Sequence, residues 1–348
     1  MHERFNSLVF GAVLALIIGW VLYIGKAVFI PVVFSVLVVY VIVGLTRLLQ
    51  KIPLLGRALP LQVRYALSVI AIVFAIAATV YEIVTYMDIL LAHAPQYQES
   101  LLAAIQRGAV VLRIETEPTW ATLRQDLLSQ VDLQKVVGSI VSSATSLAAS
   151  VVFMFLCAGF LLLEQRAFAS KVDHLTSDPR TAARIRQVSA DINARIGSYL
   201  ALKTFVSILL GAVSWGVMAY FGLQFAGFWA VLIGLLNYIP YLGSFLGVLL
   251  PAGMAIIQFG SMEEIFALLL LLGAVQFVIG NFLDPFVMSN SLNLSPFAIL
   301  VSLTVWSALW GVAGAFLAVP ITAIMAIVFS EFTGTRPIAV LLSRNGTL

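Results

Sequence analysis

The sequence predicts an all-α, polytopic membrane protein of about eight membrane segments, with broken or re-entrant helices in its C-terminal half and an amphipathic helical insertion. Three observations lead there. Of 348 residues, 61% are hydrophobic and 10% charged, with a mean hydropathy of +1.06, whereas soluble domains carry roughly a quarter charged residues. The charges are also unevenly spread: the 59 residues from Thr204 to Met262 and the 46 from Pro285 to Ser330 contain no Asp, Glu, Lys or Arg. Because about 20 apolar residues cross a bilayer core, each run holds more than one crossing, or a crossing and a re-entrant piece. A β-barrel would instead show short alternating segments.

The elements follow in order. Residues 1–90 supply three spans, Leu8 to Ile24, Val28 to Thr46 and Tyr65 to about Met87. The first lacks a small-x-small cleavage site, so it reads as an uncleaved span rather than a signal peptide. Residues 91–138 form an extramembrane insertion with apolar positions at helical spacing, among them Leu101, Leu102, Ile105, Ala109 and Leu112. A fourth span covers 139–163, and a basic amphipathic loop covers 164–203. In that loop Ser177 or Asp178 can cap a helix with Pro179 at its first position, and Ile185, Val188, Ile192 and Ile196 make one apolar stripe. Arg180, Arg184, Arg186 and Arg195 fall around the stripe, which suits a lipid-facing interfacial helix or a collector of anionic solutes. Residues 204–335 form the expected transport core, and 336–348 a tail.

The charges orient the chain. The linker after the second span carries Arg47, Lys51, Arg57 and Arg64 with no acid, and the 164–203 loop has seven basic residues against four acidic. Both should face the cytoplasm, with the insertion on the opposite side and the N-terminus inside. If each charge-free region makes one net crossing, the tail is also inside; a re-entrant hairpin in either would move it out.

A short internal repeat marks the core. GSFLGVLLPAGMAII from Gly243 aligns with GAFLAVPITAIMAIV from Gly314, eight positions of 15 being identical. Both copies place a small residue four after the first glycine, Gly247 and Ala318, allowing close helix contact, and both continue to a proline, Pro251 and Pro320. Upstream of the first copy, Asn237, Tyr238, Pro240 and Tyr241 lie where a helix should break. Unpaired backbone at membrane depth is tolerated only against protein or a water-filled cavity, and interrupted segments in corresponding positions point to a transporter binding site.

At these residues the chain resembles the autoinducer-2 exporter family, through its NYIPYLGSFLG, NFLDPFVMSNSLNLSPFAILVSL and WGVAGAFLAVPITAI segments. The resemblance implies a bacterial inner-membrane transporter that assembles as a homo-oligomer, a pentamer. It further implies export of a small polar metabolite such as autoinducer-2, or else sodium or lithium ion/proton antiport. A third reading, from a different class, is a scaffold that recruits partners and moves nothing.

Intramembrane ionisable residues are costly and therefore functional candidates. Glu82 in the third span and Asp284 at the end of the apolar segment Ile265 to Leu283 are the two that qualify for coupling a cation or proton. For a polar solute the candidate pathway residues are Asn237, Tyr238, Pro240, Tyr241, Gly243, Gln276 and Asn281, with Gly247, Pro251, Gly314 and Pro320 at the breaks and packing points. The expected effect of Asn237→Ala or Tyr241→Phe is lower export at normal expression. No phosphate-binding loop, HExxH or GxSxG occurs, so the sequence predicts no enzyme, no metal and no cofactor. Its expected partners are a small polar solute or monovalent cation and membrane lipids, not nucleic acid.

Overall fold

The computed structural model describes residues 2–51, 59–92, 133–259, 261–284 and 292–346. Ten α-helices occur among them: α1 (His2–Ile24), α2 (Lys26–Lys51), α3 (Leu61–Ala92), α4 (Leu133–Leu175), α5 (Pro179–Tyr220), α6 (Ala226–Leu236), α7 (Leu242–Gln258), α8 (Met262–Val278), α9 (Pro296–Ser330) and α10 (Arg336–Leu342). No strand is found among the described residues, only one isolated antiparallel bridge, Leu294 with Ser343. Among the described residues four stretches, Lys26–Arg47, Pro179–Tyr220, Met262–Leu283 and Pro296–Ser330, are long and apolar enough to cross a membrane. Large apolar side chains such as Phe74, Phe266 and Phe297 are exposed, as expected where lipid rather than water is the solvent. The expected insertion lies largely outside the described residues.

The chain divides into two compact units. One comprises residues 1–68, 150–202 and 288–348, the other 69–149 and 203–287. In the first, α2 packs on α9 through the Phe34 and Phe316 rings, 5.5 Å apart, and the Trp310 indole donates to the Leu22 carbonyl at 2.9 Å. Thr46 and Ser68 share a buried hydroxyl contact of 3.0 Å between α2 and α3. Of the two caps the sequence offers, Asp178 is the one that starts α5: its carboxylate accepts from the Arg180 and Thr181 backbone N–H groups at 3.1 and 3.2 Å, and from the Thr181 hydroxyl at 2.7 Å.

The second unit has a core of Val206, Leu210 and Met218 from α5, Ala230 and Ile233 from α6, Met254 and Ala255 from α7, and Ile265, Leu268 and Leu272 from α8. Helices α5 and α6 touch at backbone distance. A Cβ on Gly211 would stand 2.9 Å from the Ala230 carbonyl oxygen, and one on Gly234 would stand 3.1 Å from that of Ser207. Glycine at these two positions is what lets the helices approach so closely.

Both repeat copies sit in helical hairpins. In the first, α6 ends at Leu236 and α7 begins at Leu242. In the second, Gly311 has φ 64° and ψ −140° inside α9, dividing it into segments 296–310 and 312–330. Gly243 and Gly314 occupy the same place in each: an added Cβ would overlap the carbonyl oxygen of Leu236 in one and of Trp306 in the other. Residues seven or eight apart on a straight helix lie roughly 10–12 Å apart along its axis, so the chain must double back at each break. The chain thus doubles back once within each charge-free length.

Candidate functional site

The first hairpin turns through Asn237–Tyr241. Ile239 N–H donates to the Leu236 carbonyl at 2.8 Å and Leu242 N–H to that of Pro240 at 2.7 Å. Proline cannot donate to continue α6, and the turn closes at Tyr241 with φ 62° and ψ −55°. That is the uncommon γ-turn of positive φ, a strained conformation for a bulky side chain. Strain of this kind persists only where the surroundings over-determine it. Here Gly243, two residues on, allows the close return against Leu236.

On the opposing helix, Lys203, Thr204 and Ser207 lie on the face that continues to Gly211, at helical spacing. The close α5–α6 crossing brings them against the turn. Lys203 Nζ donates to Asp284 Oδ2 at 2.5 Å and makes a longer contact of 3.4 Å to Asn237 Oδ1. Asn237 Nδ2 donates to the Ser207 hydroxyl at 3.0 Å, and the Thr204 and Tyr238 hydroxyls meet at 2.6 Å. The Lys203 and Asp284 side chains are only 8% and 19% exposed. In such surroundings an ion pair survives because each charge compensates the other and remaining hydrogen bonds are filled.

Asp284 reaches this position through a change of helix type. After α8, Ile279–Leu283 form a π-helical turn, and the Asp284 N–H donates to the Ile279 carbonyl. Eight residues of α-helix would set Asp284 about 80° round from Gln276, and the extra residue taken up by the π turn removes about 100° of that. The two side chains therefore leave the helix on nearly one face. Gln276 is buried, and a Cβ on Gly247 would stand 2.7 Å from its Nε2. Gly247 thus gives the Gln276 amide its room.

Two polar atoms of the cluster are buried and find no hydrogen-bond partner among the described residues: Asp284 Oδ1 and Gln276 Nε2. One is an acceptor and the other a donor. Buried groups of this kind normally have partners, which sets these two apart from the rest of the cluster.

Of the sequence candidates, Asn237, Tyr238, Gln276 and Asp284 belong to this cluster, with Gly243 and Gly247 shaping its walls. Pro240 and Tyr241 form the turn, and the Tyr241 side chain is exposed. Asn281 is exposed and donates to the Phe277 carbonyl at 3.1 Å, on its own helix. Pro251 is buried in α7. Gly314 and Pro320 belong to the other hairpin and are buried there. Glu82 is in α3, but its side chain lies outside the described residues. Lys203, Thr204 and Ser207 were not foreseen. The available signal was the setting of Lys203 among Leu200, Ala201, Leu202, Phe205 and Val206, a lysine in apolar company rather than in a solvated loop.

Residues 10–334 match the family model described as AI-2E family transporter. The chain is 30% identical over 251 residues, 72% of its length and 71% of the relative's, to the AI-2 transport protein TqsA of Escherichia coli (strain K12). It is 28% identical over 286 residues, 80% and 79% of the two lengths, to the putative transport protein YhhT of the same organism. A putative transport protein of Borreliella burgdorferi is 32% identical over 200 residues, 57% of this chain and 55% of that one.

Proposed function

This chain belongs to the AI-2E family of membrane transporters, and from that membership we propose that it is a secondary transporter exporting a small polar metabolite of the autoinducer-2 kind across a bacterial inner membrane, N-terminus inside. The observation that carries the reading is the buried cluster at the first hairpin turn. Lys203, Asn237, Ser207, Thr204 and Tyr238 hold one another, while Asp284 Oδ1 and Gln276 Nε2 stay without partners. A neutral solute rich in hydroxyl groups can accept from the amide and donate to the carboxylate, filling both while the ion pair stays closed. A 30%-identical relative named for autoinducer-2 transport supports the substrate class.

Antiport of sodium or lithium ions against protons is the second reading, favoured by Asp284 itself, since a carboxylate can take either a cation or a proton. The readings separate in liposomes holding the purified protein. Antiport requires that Asp284→Asn abolish ion-dependent proton movement. Solute export requires that autoinducer-2 efflux occur without a sodium or lithium gradient and fall in Asn237→Ala. If no solute or ion moves under any gradient, the scaffold reading replaces both.

A further inference from the structure

The first unit holds a polar cleft whose chemistry differs from that of the hairpin-turn cluster. It has a volume of about 360 Å³ and lies between α5, the second segment of α9, and the two ends of α10. Leu294, Ala323 and Ala326 are buried in its floor. Arg184, Arg195 and Arg336 line it together with Ser330 and Ser343. The tail closes one side: Ser295 N–H donates to the Leu342 carbonyl at 2.9 Å and Arg344 N–H to that of Asn293 at 3.2 Å. These bonds pin residues 293–295 to the tail on that side of the cleft.

The charges are unequal. Arg184 is spent within the protein, its Nε donating to Glu331 Oε2 at 2.9 Å and its terminal nitrogen to the Glu331 carbonyl at 2.6 Å. Arg195 and Arg336 have no ion-pair partner within 4.0 Å among the described residues, nor does the one other acid of the cleft, Asp191. The cleft thus keeps a net positive charge with two guanidinium groups uncommitted. Arginine's planar fork matches the oxygens of a phosphate group, and basic pockets among membrane helices take phosphate head groups.

We propose that this cleft binds a phosphate ester, its phosphate held by Arg195 and Arg336 and its uncharged part lying over Leu294, Ala323 and Ala326. The phosphate can come from an anionic lipid head group or from a soluble phosphate ester. The site is independent of the transport reading, since none of its residues belongs to the hairpin-turn cluster.

The test uses the full chain, purified in detergent, with phosphatidylglycerol as the probe and phosphatidylcholine as the neutral comparison, retained lipid being read by native mass spectrometry. Each guanidinium removed should weaken retention about fivefold, so Arg195→Gln/Arg336→Gln should lose about 25-fold. Arg180→Gln, on the same helix but outside the cleft, should retain as the unaltered protein does. Arg195→Lys/Arg336→Lys keeps the charge without the fork and should fall between. Gel filtration and thermal melting establish that each variant is folded, and a double-Gln variant that does not fold is replaced by the double-Lys one, whose intermediate retention carries the same conclusion. Displacement of the lipid by glycerol phosphate assigns the site to soluble esters, and failure to displace assigns it to the head group; either supports a phosphate site. Equal retention by the double-Gln variant and the unaltered protein, or an equal loss in Arg180→Gln, overturns it.

Discussion

Lys203 Nζ stands 2.5 Å from Asp284 Oδ2 although 81 residues separate them in the chain. Each is the other's nearest compensation in a buried setting, and removing one partner leaves the other's charge uncompensated.

Breaking that pair should therefore cost roughly 3–5 kcal/mol. Lys203→Met and Asp284→Leu should each lower the melting temperature of the purified protein sharply. The exchanged pair, Lys203→Asp with Asp284→Lys, should recover a large share of the loss. An exchange no better than the single variants would mean that the two side chains do not act as a pair.

Gly243 and Gly314 should tolerate no side chain, because a Cβ at either overlaps a carbonyl oxygen of the preceding helix. Alanine at either should cost about 3 kcal/mol, at the upper end of overpacking effects. Alanine at Gly253 or Gly273, which have open space around them, should instead stabilise by about 0.5–1 kcal/mol through helix propensity. Thermal melting of the four variants side by side decides this.

At Gln276 stability and transport should part. An unpartnered buried amide costs about 1–3 kcal/mol, so Gln276→Leu should raise the melting temperature while lowering autoinducer-2 efflux from liposomes at least severalfold. Asn237→Ala should lower both, since it strips the Ser207 hydroxyl of its donor as well as loosening the turn. Efflux by Gln276→Leu equal to that of the unaltered protein would remove Gln276 from the pathway.

Acid should loosen the start of α5. The Thr181 hydroxyl and the Arg180 backbone N–H hold the Asp178 carboxyl below its ordinary range. A carboxyl depressed by folding contributes stability that is present above its unfolded value and is lost as pH falls through the folded one. Hydrogen exchange of the first turn of α5 should accordingly quicken as pH drops below the usual carboxylate range, after correction for intrinsic exchange. Asp178→Ala, which removes the cap, should show fast exchange at all pH values and no such dependence.

Much of the fold was legible because the signals are local. Charge-free length marks the membrane regions, and Asp178 before Pro179 marks a helix start. The repeat marked Gly243 and Gly314 as points of close contact, and the structure adds that each faces a carbonyl oxygen where the chain doubles back. Asn237, Tyr238 and Gln276 were legible as polar residues in apolar surroundings. Asn281 and Asp284, three residues apart, are both site candidates by sequence, one for a solute and one for a cation or proton, yet the π turn sends Asp284 into the cluster and leaves Asn281 exposed. No sequence period announces a π turn. Tyr241 was read for its hydroxyl, whereas its backbone is the unusual feature, forced by Pro240 before it and Gly243 after it.

Composition and order along short stretches were enough for the solvent of this protein, its helical class, the helix break at Asn237–Tyr241 and its family; the second break, at Gly311, was not marked. Which residues meet depends instead on how distant segments pack. Lys203 counted as one more loop charge until the crossing of α5 with α6, at Gly211 and Gly234, carried it to Asn237 and Asp284. Which side chains a crossing aligns depends on the angle and depth at which two helices pack, and those follow from contacts between segments distant in the chain.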